Sequence, residues 1–370
     1  MKITLKDFEL ESLTRCFEAS RASIQVANLL NQYLDEHYRS ITKEDIFEQR
    51  KHSASEEEAF VSLLYEKIGI EKNSEDVSPL SQYTGFPTVR RLDPDEYRKD
   101  PYYQNIRLPE KHQGTWILSN NCYEPFEGFV TDETVADHEH HFGEITPIGY
   151  FPTSFSYPVV MEKNVVWMSV TPHEINTMKE PIQKAHGKVV TFGLGLGYYA
   201  YMVSQKENVE SVTVIEKDGK AITLFKKYIL PQFEHPEKIH IVQNDAYRYA
   251  EKQVSQLSYD YAFVDLYHNV INALPYYHRF RILARNIPQT KFDYWIEKTI
   301  LCYFRRYLLL LMEESLQGYE EKDYLNPKFY EGHILLSLYQ ATASMTINTL
   351  EEAYRLLSDE SLQSLINKLQ

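Results

Sequence analysis

The chain has 370 residues, with 39 Lys and Arg against 53 Asp and Glu and a formal net charge of −14. This charge argues against a nucleic-acid-binding protein, because affinity for the phosphate backbone comes mainly from Lys and Arg. Its 13 glycines are about half of the roughly 7% found in an average protein, which excludes collagen-like and glycine-rich sequences. The length predicts more than one structural unit.

The cysteines and the N-terminus indicate the cellular compartment. Cys16, Cys122 and Cys302 are widely spaced and odd in number, which predicts neither a disulfide framework nor a CxxC metal site. The N-terminal MKITLKDFELESL has no apolar core of a signal peptide, and the longest apolar run is too short to span a bilayer. We therefore expect a cytoplasmic protein without a membrane partner.

Residues 1–85 are predicted to form an N-terminal helical region. Apolar residues recur at three- and four-residue spacing in LTRCFEASRASIQVANLLNQYLDEHY. Ser55 is predicted to N-cap a further helix that Gly69 ends. The stretch 71–110 is polar with scattered prolines and is predicted to be a linker or wrapping loop.

Residues 86–170 are predicted to form a small β-rich region. Short apolar runs such as TWIL, EGFV and NVVWMSV are separated by turn residues, which is typical of a small antiparallel sheet. A helix then begins at TPHEINTMKEPI, where Thr171, Pro172 and Glu174 provide a capping box and a proline at the first helical position.

The following segment alternates between strand and helix patterns. GKVVTFG, SVTVIEKD, IHIVQND, YDYAFVDLY and KFDYWIE are predicted strands, and the segments between them are predicted helices. This alternation predicts an α/β fold with a parallel sheet. We expect a Rossmann-like domain over residues 171–315 and a C-terminal helical region over 316–370. The net charge is +3 for residues 181–290 but −13 for residues 1–180.

A glycine cluster follows the first strand of this segment. Gly193, Gly195 and Gly197 lie within five residues where the strand ends and a helix begins. Glycine there allows a tight turn and a close approach of a ligand to the helix N-terminus. A plain strand-to-helix turn is the alternative.

Acidic residues end the next three strands. Glu216 follows Gly197 by 19 residues, at the position where a carboxylate accepts hydrogen bonds from ribose hydroxyls. Asp245 and Ala246 follow the third strand, and Asp265 ends the fourth. The glycine spacing is GxGxG and not the GxGxxG of dinucleotide sites, which disfavours a pyrophosphate ligand.

Over roughly residues 185–300 the chain resembles the class I S-adenosyl-L-methionine (SAM)-dependent methyltransferase family. Four ordered motifs carry the resemblance: VVTFGLGLG, VTVIEKD, IVQNDAY and YDYAFVDLY. The arrangement looks most like the spermidine synthases, in which a small β-region precedes the nucleotide core. The resemblance implies SAM as cofactor, with Gly193, Gly195 and Gly197 along its methionine part, Glu216 on its ribose and Asp245 on its adenine. Ala246 and Asp265 are the other predicted cofactor-binding residues.

Two positions depart from the family pattern. Thr191 stands where an acidic residue usually precedes the first glycine, and His268 stands where spermidine synthases carry a second carboxylate after the fourth strand. The missing carboxylate argues against aminopropyl transfer. Methyl transfer needs orientation and at most a general base. His268 is the candidate base, with Asp265 and Tyr267 as candidates for orienting the acceptor; helix capping by His268 and Asn269 is the alternative.

Two further clusters leave alternatives open. Tyr198, Tyr199 and Tyr201 either place a ring against a sulfonium or pack in the core. The run 137–141, DHEHH, either ligates a metal or is a polar loop, and we predict no metal site.

The leading hypothesis is a SAM-dependent methyltransferase that acts on a small-molecule acceptor. The alternatives are an aminopropyl or aminocarboxypropyl transferase of the spermidine synthase type, and a non-catalytic nucleotide-binding or interaction scaffold. We expect no nucleic-acid partner, and the sequence leaves homo-oligomerisation open.

Overall fold

The computed structural model describes residues 1–71, 77–163, 165–320, 323–324 and 330–369 of a mixed α/β protein. The chain forms two compact units. The helical unit comprises residues 1–90, 133–148 and 298–370, and the sheet unit comprises residues 91–132 and 149–297. This grouping differs from the four consecutive regions predicted, because part of the predicted β-rich region and the C-terminal helices belong with the N-terminal helices.

The helical unit contains the predicted N-terminal helices. Ser55 Oγ accepts a hydrogen bond from Glu58 N at 3.0 Å, and Gly69 follows the end of the capped helix with a φ of 71°. Its strand pairs are Lys2–Ile3 with Thr346–Ile347 and Val135–Asp137 with Gly143–Ile145. Its helices are Asp7–Gln32 with the π-helical turn Tyr33–His37, Lys43–Gln49, Glu56–Lys67, Val77–Thr84, Glu297–Leu316 (from residue 298 on), Tyr330–Thr342, Leu350–Leu356 and Asp359–Ile366.

The predicted linker over residues 71–110 is wrong for most of its length; residues 72–76 lie outside the described residues. It contains the helices Val77–Thr84, Pro94–Arg98 and Pro101–Asn105. Two of these start with an aspartate cap and a proline at the first helical position, a pattern that favours helix initiation in a polar sequence.

The predicted antiparallel sheet is present in the sheet unit. Its strands lie in the order Val165–Ser169, Phe155–Glu162, Trp116–Tyr123 and Lys111–Gln113. In the strand Trp116–Tyr123 the buried Trp116 and Leu118 alternate with less buried residues, whereas Pro158, Val159 and Val160 are buried in succession in the strand Phe155–Glu162. Three further short strands are Val89–Arg91, Phe129–Val130 and Ile148–Tyr150.

The predicted parallel sheet is confirmed, and its five strands are numbered here. They are β1 (Gly187–Phe192), β2 (Val209–Glu216), β3 (Ile239–Gln243), β4 (Tyr261–Val264) and β5 (Lys291–Tyr294). All neighbouring pairs are parallel, in the order β3-β2-β1-β4-β5, which is the Rossmann-like arrangement. The side chains of β4 are buried on both faces, as expected of a central parallel strand.

Helices connect these strands. The helix Pro172–Lys184, which leads into β1, begins with the predicted capping box of Thr171 and Glu174. The helices that follow β1 to β4 are Tyr198–Ser204, Gly219–Leu224 with the π-helical turn Phe225–Ile229, Ala246–Tyr249 with the π-helical turn Ala250–Val254, Ser255–Leu257, Val270–Ala284 and the 3₁₀ turns Leu230–Gln232 and Pro236–Lys238. Within the described residues, no helix combines the length and the low polarity that crossing a membrane requires.

Candidate functional site

Three of the predicted motifs meet at the carboxyl edge of the parallel sheet. Gly193, Glu216 and Asp265 end or follow the three adjacent strands β1, β2 and β4. Gly193 N donates to Ile215 O at 3.0 Å, and Asp265 N donates to Phe192 O at 2.9 Å. Strand order reverses between β1 and β4, and ligands of open α/β sheets bind at such a switch point.

All three glycines of the turn have positive φ, at 108° for Gly193, 49° for Gly195 and 73° for Gly197. Each also lies against another part of the protein. A Cβ atom would lie 2.0 Å from Asp265 O at the first glycine, 1.7 Å from Met168 Sδ at the second and 2.3 Å from a Phe225 ring carbon at the third. The positive φ values and the main-chain contact at Gly193 favour glycine in this turn whether or not a ligand approaches it, whereas at Gly195 the contact is with a flexible methionine side chain.

Glu216 ends β2 with a partly buried carboxylate. Its Oε1 accepts a hydrogen bond from Asp218 N at 2.8 Å. The main chain of Asn244 donates to Glu216 O at 3.0 Å, so the start of the loop after β3 lies beside it. Asp245 itself is exposed, and its carboxylate accepts from Arg248 N at 3.0 Å as the cap of the helix that Ala246 begins. The predicted adenine role of Asp245 and Ala246 stays a prediction.

A small pocket lies between the glycine turn and the antiparallel sheet. The space enclosed there is about 10 Å³, room for about one water molecule. Aromatic and aliphatic side chains form most of its wall, with Glu216 as the acidic group. The lining residues include Trp116, Trp167, Gly195, Glu216, Leu224 and Phe225.

The carboxyl group of Asp265 has a raised pKa. Burial, followed by the nearby charge of Glu174, raises the pKa of Asp265 to about 7. Glu174 comes from the helix Pro172–Lys184 and accepts hydrogen bonds from Thr171 N at 3.0 Å and from Ser169 Oγ at 3.2 Å. The charge of a second carboxylate, Glu174, thus acts on Asp265, while His268 stands where a carboxylate was expected after β4.

His173 precedes Glu174 on the same helix. Burial lowers the pKa of His173, against the opposing charges of Glu174 and Asp132. Its ring packs edge-on against Trp295, with the ring centroids 5.9 Å apart. The neutral imidazole is therefore the favoured form near neutral pH.

Residues 267–269, which follow Asp265 and Leu266, have different surroundings. Tyr267 is buried, and its hydroxyl donates to Trp295 O at 2.6 Å. His268 is exposed, and its ring packs edge-on against Trp167 with the centroids 4.3 Å apart. Asn269 caps the helix Val270–Ala284 by accepting from Asn272 N, so the capping alternative holds for Asn269. The catalytic roles of Tyr267 and His268 stay predictions.

The tyrosines after the glycine turn pack in the core. Tyr198 donates to Asp100 at 3.0 Å, Tyr199 stacks on Phe263, and Tyr201 accepts from an Asn105 side-chain amide at 2.7 Å. The packing interpretation is therefore confirmed for these three side chains.

The run 137–141 lies in the helical unit. His140 Nδ1 contacts Asp137 Oδ2 at 2.7 Å, His141 Nδ1 contacts Tyr354 OH at 3.2 Å, and His138 packs against Phe142. The histidines of this loop thus contact protein groups. Across the described part of the chain, no cluster of three or more His, Cys, Asp or Glu side chains has a metal-binding arrangement.

Sequence reasoning missed Trp167 and Met168 as neighbours of the glycine turn. The signal available was the apolar run NVVWMSV, which predicts a strand but not the element that its side chains contact. The polar groups of the site fit a nucleoside with a cationic substituent, because carboxylates end β2 and β4 on either side of the turn. Such a ligand is larger than the pocket, so the side chains that line the pocket must move to admit it.

Comparison with known proteins gives a partial likeness of fold. No protein-family model matches the sequence, and no curated protein matches it. Among solved structures, the spermidine synthase of Thermotoga maritima aligns with a TM-score of 0.30 and 17% identity over 40% of this chain and 54% of that one. A spermidine synthase in complex with the transition state analogue AdoDATO aligns with a TM-score of 0.31 and 18% identity over 40% of this chain and 56% of that one. The aligned region thus spans about half the length of each neighbour.

Proposed function

We propose that this protein is a SAM-dependent transferase that alkylates a small-molecule acceptor, with methyl transfer as the leading reaction. The observation that carries the proposal is the convergence of Glu216, the glycine turn and Asp265 on adjacent strands at the switch point of the sheet.

In this proposal Glu216 binds the cofactor and Asp265 faces the acceptor. Glu216 is placed to accept hydrogen bonds from ribose hydroxyls, and the glycine turn presents its backbone beside it. When bound, SAM supplies a sulfonium whose attached carbon is transferred to a nucleophile. Asp265, which follows β4 on the other side of β1, then lies on the acceptor side of the site.

The acidic pair favours an acceptor that carries an amine. A carboxyl group with a pKa of about 7 exchanges a proton readily near neutral pH, so Asp265 is suited to take a proton from a nucleophile. A bound cation would lower the pKa of Asp265 again by opposing the charge of Glu174. His268 stands at the exposed side of the same strand end and is the second candidate base.

The same pair supports aminopropyl transfer as the second candidate function. The sequence argued against it because a carboxylate is missing after β4. The charge of Glu174, from a different element, acts on Asp265, and two acidic groups would favour a polyamine-like cation.

Calorimetry of the full chain with SAM, decarboxylated SAM and NAD tests these candidates. The leading proposal predicts binding of SAM and no binding of NAD. Preference for decarboxylated SAM would favour aminopropyl transfer. Binding of SAM without turnover of any amine in a mixed panel would favour a non-catalytic nucleotide-binding protein, and binding of none of the three would overturn both enzyme proposals.

A further inference from the structure

Trp167 has an unusual position in the antiparallel sheet. In the edge strand Val165–Ser169, Val166 pairs with Met161 and Met168 pairs with Val160. Trp167 is therefore the extra residue of a β-bulge and has no ladder partner. Bulges at sheet edges change the direction of a side chain and are frequent beside active sites.

The Trp167 side chain lines the small pocket and packs against His268. On one side it lines the small pocket together with Gly195 and Glu216. On the other side its ring lies 4.3 Å from the ring of His268, three residues after Asp265. Its exposed fraction is 38%, which is high for tryptophan and leaves part of the ring free for a ligand.

The order of groups in a sulfonium nucleoside matches this placement. The sulfur joins the ribose to the carbon that is transferred, so it lies between the ribose site and the acceptor. Glu216 marks the ribose side and Asp265 with His268 marks the acceptor side. Trp167 lies next to both sides, because it lines the pocket with Glu216 and packs against His268.

We propose that Trp167 binds the sulfonium of the cofactor through the face of its indole ring, and this inference rests on the proposed function. A cation over the face of tryptophan is attracted by the negative charge of the π system, and the attraction increases where water is excluded. The neighbouring apolar walls of Trp116 and Leu224 reduce water access to that position. Trp167 would thereby favour the charged cofactor over its neutral thioether counterpart, which lacks one methyl group.

The test compares the affinities of SAM and S-adenosylhomocysteine by calorimetry in the full chain. If the wild type prefers decarboxylated SAM, that compound and its demethylated thioether are used. We expect Trp167→Leu to lower the ratio of sulfonium affinity to thioether affinity about tenfold, because leucine keeps an apolar contact but has no π face. Trp167→Phe should restore most of the ratio. Val165→Ala, on the same strand at a residue that is 69% exposed, should leave both affinities unchanged.

A second measurement keeps the shape of the indole. Replacing Trp167 alone by 5-fluorotryptophan weakens the negative face of its ring. The ratio of sulfonium affinity to thioether affinity should therefore fall without loss of packing. An unchanged ratio in this protein and in Trp167→Leu, with both ligands weakened equally, would overturn the assignment of Trp167 and leave the proposed function standing. A wild type that binds neither sulfonium would overturn the proposed function and this inference with it.

Discussion

The fold changes the acid–base chemistry of Asp265. The sequence placed it at the carboxyl end of a strand, and the structure adds the burial and the Glu174 charge that raise its pKa to about 7. No sequence pattern reports this change, because Glu174 is 91 residues away and belongs to a helix that precedes the sheet.

The raised pKa of Asp265 predicts a pH-dependent cost in stability. A carboxyl group whose pKa is higher in the folded state contributes stability below its unfolded pKa of about 4, and that stability is lost as the pH rises through about 7. We therefore expect the free energy of unfolding of Asp265→Asn to exceed that of the wild type at pH 8 by on the order of 2 kcal/mol. At pH 4 the two free energies should be nearly equal. Denaturant titrations at both pH values measure this, and a difference that does not change with pH would contradict it.

His268 provides a second prediction at this scale. If His268 is the general base, His268→Ala should lower turnover about 100-fold or more while the affinity for SAM stays near that of the wild type. Single-turnover kinetics and calorimetry separate the two effects. Asn269→Ala is the neighbouring control for a purely structural effect. Loss of its helix cap should cost about 1 kcal/mol of stability. Parallel loss of turnover and SAM affinity in His268→Ala would indicate a structural role.

At the scale of elements, local patterns predicted most of the structure. The alternation of apolar strand patterns with helix patterns predicted β1 to β5. The capping box at Thr171 predicted the start of the helix Pro172–Lys184. The strand Val165–Ser169 was predicted too, but its bulge and its contact with the glycine turn were not. A bulge depends on the pairing of two strands, and such pairing leaves no local pattern in one of them.

The glycine turn allows a prediction with a matched control. Gly193→Ala adds a methyl group that would lie 2.0 Å from Asp265 O at a φ of 108°, so β1 and β4 must separate. Gly69 also has positive φ, but nothing lies within 4 Å of its added Cβ. We expect Gly69→Ala to cost about 1 kcal/mol of unfolding free energy and Gly193→Ala to cost about 3–4 kcal/mol. Equal costs in denaturant titrations would show that the close contact is absent in solution.

At the scale of the whole molecule, both units are built from segments that are distant in sequence. In the helical unit, Glu144 N donates to Ser23 Oγ at 3.0 Å, and the Glu144 carboxylate accepts two hydrogen bonds from the Arg306 guanidinium. Such contacts join three segments, and composition or periodicity within one segment does not reveal them. Patterns within single segments therefore give consecutive regions, whereas the compact units combine segments that are distant in sequence.

The buried pair of Glu144 and Arg306 gives a prediction for this unit. Glu144 is 5% exposed, so its loss leaves an uncompensated guanidinium in the interior. We expect Glu144→Leu to cost about 3–5 kcal/mol, and the double variant Glu144→Leu, Arg306→Met to recover most of that loss. Denaturant titrations of the two single variants and the double variant give the coupling energy. Additive losses would show that the two residues do not interact in the folded protein.

The central claim is that the carboxyl edge of the parallel sheet binds the ribose of SAM through Glu216. Calorimetry with SAM tests it in the wild type, in Glu216→Ala and in Glu210→Ala, which changes an exposed glutamate at the opposite end of the same strand. We predict that the wild type and Glu210→Ala bind SAM with equal affinity and that Glu216→Ala shows no measurable binding. Wild-type affinity in Glu216→Ala, or no binding of SAM by the wild type, would contradict the claim.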